Sequence, residues 1–253
     1  MSGAGDAVGS DPRVILITGA SSGIGRATAV QLAFLGFRIV VGYHSRREAA
    51  EAVVHSLAGE GHVALRIAID DADSVSAAAR LVEDRYGRLD ALVNNGGATH
   101  PVPANDLDAL TDELFDRILS LNLRGPFAMV RAFRSLLERG ENAAVVNVSS
   151  IAARTGVGSS LAYCAAKGGL DTLTVGLAKV LAPGIRVFSV SPAGVDTGFV
   201  AGRTRAQLEA MAEKLPLRKI TSADDVAGAI VACITQLTSS TGIVVPVDEG
   251  RHI

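Results

Sequence analysis

The chain has 253 residues, 48 % hydrophobic and 20 % charged, with a net charge of −2 at pH 7. That apolar content supports a sizeable core and excludes a disordered chain, and the slight acidity excludes the basic footprint of a nucleic-acid binder. No apolar run reaches bilayer-crossing length, and residues 1–12, small and polar, lack the basic-then-apolar plan of a secretory signal and read as a flexible tail.

After the tail, residues 13–253 read as one domain of alternating β-branched runs and helical stretches. The runs are Arg13–Thr18, Arg38–Gly42, Val63–Ile69, Leu89–Val93, Ala144–Val148, Ile185–Val190 and Ile243–Val247. Each is short and nearly all apolar, as strands covered on both faces must be. Helical stretches are expected at Arg26–Leu35, at Ser74–Tyr86 capped by Asp73 or Ser74, over Leu107–Glu138, and from Tyr163 to about Leu181. The alternation predicts an α/β, doubly wound Rossmann fold: a seven-stranded, mostly parallel sheet with helices on both faces. Such a sheet carries its ligand crevice at the carboxyl ends of its strands. Cys164 and Cys233 match no metal-ligand spacing, so no metal is expected, and both read as reduced thiols in a cytoplasmic protein.

The first strand runs into Thr18-Gly19-Ala20-Ser21-Ser22-Gly23-Ile24-Gly25. Gly19, Gly23 and Gly25, spaced GxxxGxG, permit a tight turn and close backbone approach to a pyrophosphate. The helix that follows points its positive end at that anion. No Lys-Ser/Thr pair follows, which excludes a phosphate loop of the nucleotide-hydrolase kind. At the end of the second strand, Gly42-Tyr43-His44-Ser45-Arg46-Arg47 holds no acid to repel a ribose 2′-phosphate. Arg46 and Arg47 can pair with such a phosphate or simply open the next helix. NADP(H) is favoured and NAD(H) remains open.

Tyr163 and Lys167, at i and i+4 in YCAAK, share a helix face. An ammonium beside a phenol favours the phenolate and draws its pKa down from about 10. Ser150, ending the strand AVVNV, offers a hydroxyl to a substrate oxygen. Asn122 is an amide in an otherwise apolar stretch, and Asn94-Asn95-Gly96-Gly97 follows the strand LDALV.

With these motifs in this order, the sequence resembles the short-chain dehydrogenase/reductase superfamily from Arg13 to Gly250, including Ser191-Pro192-Ala193-Gly194-Val195-Asp196-Thr197. The resemblance implies an oxidoreductase interconverting a carbonyl and an alcohol. Tyr163 would be the general acid in reduction and base in oxidation, Lys167 would hold the nicotinamide ribose and tune Tyr163, Ser150 would position the substrate oxygen, and Asn122 would support a water leading to Lys167. It further implies that Asp70 contacts the adenine, Asn94 the adenosine side and Thr197 the carboxamide. Pro192, Gly194 and Val195 would set the ring face. Ser21, Ser22, Ile24, Tyr43, His44, Asp71 and Gly96 complete the expected cofactor site.

The chain departs from the family pattern at Gly96 (usually alanine), Ala193 (glycine), Phe188 (asparagine) and Glu249 (glycine). Residues 198–220 fall at the family's substrate lid. Leu208, Met211 and Leu215 make an apolar stripe there, and Arg203, Arg205, Lys214, Arg218 and Lys219 surround it, to draw an anionic substrate or to keep the lid soluble. Where family members reducing 3-oxoacyl carrier-protein thioesters carry LARE, this chain reads Leu177-Ala178-Lys179-Val180. Such a reductase is one alternative, and a silent NADP(H)-sensing regulator is another. A homotetramer or dimer is expected through residues 107–138 and 163–181, with Gly168 and Gly169 permitting close helix approach. No nucleic-acid or membrane partner is expected.

Overall fold

The computed structural model describes residues 12–202 and 204–253, so all of the expected tail except Pro12 lies outside the described residues, as does Arg203. Strands β1 (Val14–Ile17), β2 (Arg38–Tyr43), β3 (Val63–Arg66), β4 (Ala91–Asn94), β5 (Ala144–Val148), β6 (Arg186–Pro192) and β7 (Ile243–Val247) form one sheet in the order β3-β2-β1-β4-β5-β6-β7. Every pairing is parallel, more uniform than expected. The order reverses between β1 and β4, which opens a crevice beyond their carboxyl ends.

The unbroken apolar runs are explained by the two faces. Ile15, Ile17, Ile39, Val41, Val93 and Val146 point to one face, under α1 (Gly23–Phe34), α2 (Arg47–Ser56) and α9 (Ala223–Thr235). Val14, Leu16, Val40, Leu92 and Val145 point to the other, under α3 (Ala72–Tyr86), α5 (Gly125–Glu138) and α7 (Leu161–Leu181). Phe188, where the family has asparagine, is fully buried in the first layer. The side chain is part of the core, so it is remote from the crevice chemistry.

Several boundaries move for local reasons. Helix α1 begins among the glycines at Gly23. The cap of α3 is Asp71, whose carboxylate accepts from Asp73 N (2.9 Å) and Ser74 N (3.2 Å), rather than Asp73 or Ser74. Helix α7 starts two residues before Tyr163, where the Ser160 hydroxyl accepts from Tyr163 N at 3.2 Å.

The expected continuous stretch 107–138 is instead α4 (Asp112–Leu119), a π-helical turn (Ser120–Arg124) and α5. The wider turn faces Asn122 inward, and its amide donates to Ile118 O (2.9 Å) and Ala98 O (2.7 Å). Gly169, expected to favour a neighbouring subunit, instead leaves room for Leu123 of that turn: a Cβ there would lie 3.0 Å from Leu123 Cδ2.

Asp90, just before β4, ties the sheet's lower rim. Its buried carboxylate accepts from Val14 N and Glu141 N, both at 2.6 Å, and lies 3.3 Å from Arg88 Nε. Removing it leaves two amides without their acceptor and takes one carboxylate from Arg88, which also meets Glu141 at 3.0 Å. Asp90→Ala is expected to cost about 3 kcal/mol or more of stability, read as a lower urea midpoint at unchanged slope.

Candidate active site

The β1–α1 turn is held by contacts that tolerate no side chain. A Cβ on Gly25 would lie 2.7 Å from Gly19 O and 2.6 Å from Asn95 Nδ2, and one on Gly42 2.8 Å from Ile17 O. Gly19 has φ +64°, a conformation that favours glycine. Thr18 Oγ1 accepts from Asn95 N (3.0 Å) and Gly96 N (2.8 Å), while Asn95 Nδ2 donates back to Thr18 O (2.9 Å) and Gly19 O (3.2 Å). This clamp joins the ends of β1 and β4 across the crevice.

Above it opens a cavity of about 510 Å³. At one end stand Gly19, Ser21, Ser22, Gly23 and Ile24, with His44, Ser45, Arg46 and Asp70. The Ser22 side chain does not cap α1, in contrast to the caps of α3, α4 and α7, and accepts from Arg46 Nη2 at 2.7 Å. The amides of the first turn therefore face the cavity with the helix dipole behind them. Arg47 turns outward and pairs with Glu51 at 2.7 Å. Of the two arginines, only Arg46 belongs to the cavity wall.

The same cavity is lined by Ser149, Ser150, Tyr163, Lys167, Pro192, Ala193 and Val195, by Phe199 and Val200 from the segment after β6, and by Thr197, which packs against Gly23 of the glycine turn. Lys167 is buried and donates to Val148 O at 2.7 Å, with its Nζ 5.6 Å from the centre of the Tyr163 ring. Burial lowers its pKa to about 8, partly opposed by the field of Asp171. Phe199 tilts over Tyr163 with ring centres 6.0 Å apart. Burial raises both thiols, Cys233 to about 11, so neither is poised as a nucleophile.

Of the remaining expected site residues, Gly96 lines the cavity and the others lie elsewhere. Asn94 is buried in β4, donating to Asn147 Oδ1 at 2.9 Å within a chain that continues to Thr174 and Ser189. Its side chain braces the sheet, and the crevice is served by Asn95, which sequence reasoning passed over because both asparagines look alike in a turn. Asp71 spends its carboxylate on the α3 cap and is absent from the cavity wall. Tyr43 and Gly25 lie beneath the wall, Gly194 behind it, and Asn122 backs Gly97, whose Cβ would lie 2.6 Å from Asn122 Oδ1. Gly96 and Arg117, the latter exposed on α4, complete the lining.

In the expected lid, helix α8 (Arg205–Ala212) buries Leu208, with Met211 and Leu215 half-buried. Arg205 pairs with Asp196 and Glu209, and Lys219 with Asp225 and Glu249. Two of the four described cations of this stretch, Arg205 and Lys219, are therefore paired with local carboxylates.

Residues 13–208 match the family model described as short chain dehydrogenase. The chain belongs to that family. It is 37 % identical over 245 residues to the second ketoacyl reductase assigned to the granaticin polyketide synthase of Streptomyces violaceoruber, covering 95 % of this chain and 96 % of that one. It is 31 % identical over 242 residues to the 3-oxoacyl-[acyl-carrier-protein] reductase FabG of Staphylococcus aureus strain N315, covering 94 % and 97 %. Among solved structures, a 3-ketoacyl-(acyl-carrier-protein) reductase from Brucella melitensis complexed with NADH superposes with a TM-score of 0.87 at 30 % identity, covering 95 % and 98 %. This short-chain dehydrogenase is an NAD(P)-dependent oxidoreductase. Its described residues contain no helix long and apolar enough to cross a membrane.

The two neighbouring asparagines have separable duties. Asn95→Ala is expected to raise the dissociation constant for reduced cofactor at least about tenfold, because it removes two hydrogen bonds that shape the turn. Asn94→Ala is expected to lower the melting temperature while changing that constant far less. Fluorescence titration and thermal melts of both variants check this.

Proposed function

We propose that this oxidoreductase reduces a ketone or aldehyde to an alcohol, and runs the reverse reaction, with Tyr163 as general acid and base. The observation carrying this reading is that Tyr163, Lys167 and Ser150 line the same cavity as the glycine turn. The residues present fit a dinucleotide: at Gly19 and Gly25 a Cβ would strike Asn95, Gly96 or the turn's own backbone, so glycine lets the turn fold tightly against the loop after β4, and the amides of α1 face an anion. When bound, the nicotinamide supplies the hydride.

The chain's own residues then manage the oxygen and its proton. The Ser150 hydroxyl donates to the carbonyl oxygen and orients it toward Tyr163. The Tyr163 phenol transfers its proton to that oxygen as negative charge develops there. The Lys167 ammonium stabilises the phenolate left behind, an effect strengthened by its burial. Asn122, with both amide hydrogens committed to backbone carbonyls, holds the turn beside Gly97 in place. Asp70, His44 and Thr197 line the groove as adenine-side and carboxamide-side contacts. Residues 198–220 act as the lid.

NADP(H) is the proposed cofactor. Arg46 already meets Ser22 at the end of β2, where residues 43–46 carry no carboxylate, so a 2′-phosphate would find a guanidinium and a hydroxyl there. A β-keto thioester is the second substrate class, supported by the ketoacyl reductase relatives. We also assign the exposed Phe127, Val175 and Val180 of α5 and α7 to a homotetramer contact, and the chain to the cytoplasm.

Tyr163→Phe is expected to retain cofactor binding and lose turnover by about two to four orders of magnitude, the range of a general-acid contribution. Retention of wild-type turnover on any substrate would refute the mechanism. Arg46→Ala is expected to weaken NADPH binding about tenfold or more and leave NADH nearly unchanged, given charge-assisted hydrogen bonds worth about 1.5–3 kcal/mol. Paired titrations with the two reduced cofactors measure the difference.

A further inference from the structure

Lys167 is a buried ammonium whose hydrogen bond is to a neutral carbonyl, Val148 O at 2.7 Å. Such a group tends to lose its proton, yet the proton chemistry assigned to Tyr163 needs the positive form. The nearest answer in the fold lies one turn further along α7. Asp171 is half-buried, and its Oδ1 is shielded from solvent without a hydrogen-bond partner among the described residues. A carboxylate oxygen so placed is costly unless a positive charge lies close by. At i+4 from Lys167, Asp171 lies on the adjoining part of the same helix face.

We propose that Asp171 is a positioning residue that keeps the Lys167 ammonium charged and thereby sets the acidity of Tyr163. The proposal rests on the role given to Tyr163 above. It extends the pair Tyr163–Lys167 into a line of phenol, ammonium and carboxylate along one helix, with the phenol facing the substrate and the carboxylate behind.

The other elements packed on α7 offer no competing carboxylate near Lys167. Strand β6 contributes neutral hydroxyls: Ser189 meets Thr174 at 2.9 Å, and Ser191, two residues on, projects to the same face of the sheet. The π-helical turn contributes the neutral Asn122, and its Arg124 is held by Asp70 O at 3.0 Å. Helix α4 carries Asp112, Glu113, Asp116 and Arg117 and α6 (Ala152–Thr155) carries Arg154, and all five are exposed to solvent. On α7 itself the remaining titratable neighbours are Tyr163 and Cys164, the latter a thiol that burial keeps protonated. Consistent with this census, the fields acting on the lysine reduce to burial, which drives its proton off, and Asp171, which retains it.

Phenolate absorbance gives a readout that needs no substrate. The signal of Tyr163 is the difference between each protein and its Tyr163→Phe counterpart, titrated against pH. Asp171→Asn is expected to move phenolate formation to higher pH, and Asp171→Glu to restore it. If Lys167 holds its proton about tenfold less tightly in Asp171→Asn, its charged fraction near pH 7.5 drops about threefold. Alcohol oxidation at that pH should fall about as much, and the deficit relative to wild type should shrink as pH is lowered. An unchanged phenolate titration in Asp171→Asn overturns the proposal. A deficit equal at every pH, a failure of Asp171→Glu to restore the titration, or loss of folding in both variants would make Asp171 structural and overturn it equally. Absence of turnover in the wild-type protein would count against the proposed reaction alone, since the titration proceeds without it.

Discussion

The structure depends on a close approach of three stretches of backbone at the point where the sheet reverses direction. The turn after β1 passes over the end of β2 and under the loop after β4, at separations that leave no room for a Cβ at Gly25 or Gly42. Thr18 and Asn95 fasten the three together by hydrogen bonds in both directions. Because the chain crosses here without side chains, α1 starts at the crevice with its first amides uncapped. The anion-binding end of the cavity is a consequence of that packing.

At the other end, burial does the chemical work. Lys167 sits at the carboxyl end of β5 with a carbonyl for a partner, where a low dielectric strengthens its effect on neighbouring charge and weakens its own hold on a proton. The two consequences pull in opposite directions, and the proposed role of Asp171 is to offset the second of them. The buried chain from Asn94 through Asn147 and Thr174 to Ser189 pins α7 to the sheet nearby. A helix held by paired polar groups on three strands keeps its catalytic face in register better than one held by apolar contacts alone.

Beyond β6 the chain departs most from the regular alternation. Pro216 packs against Gly250, and Glu249 adopts φ +57° where the family carries glycine. Its buried carboxylate lies 3.7 Å from Lys219, while its carbonyl accepts from Leu217 N at 3.2 Å. Residues 216–219 are thereby joined to the turn after β7. Of the positive charge that looked free in the sequence, Lys219 is bound up in this join and Arg205 in its own pairs.

The alternation of apolar runs and helical stretches determined the fold by itself, because strands covered on both faces cannot read any other way. The glycine turn and YCAAK were equally legible, since each requires particular residue types at fixed local spacing. What local spacing cannot express is which of two like residues faces the crevice. Asn95 rather than Asn94, Arg46 rather than Arg47, and Asp71 as a cap rather than a crevice residue were decided by the sheet's pleat and by helix starts a few residues from where periodicity put them. Asn122 shows the same limit: a π-helical turn, invisible to a 3.6-residue pattern, buries it behind Gly97. Tertiary packing chose the orientation of each side chain because burial depends on neighbours contributed by distant parts of the chain.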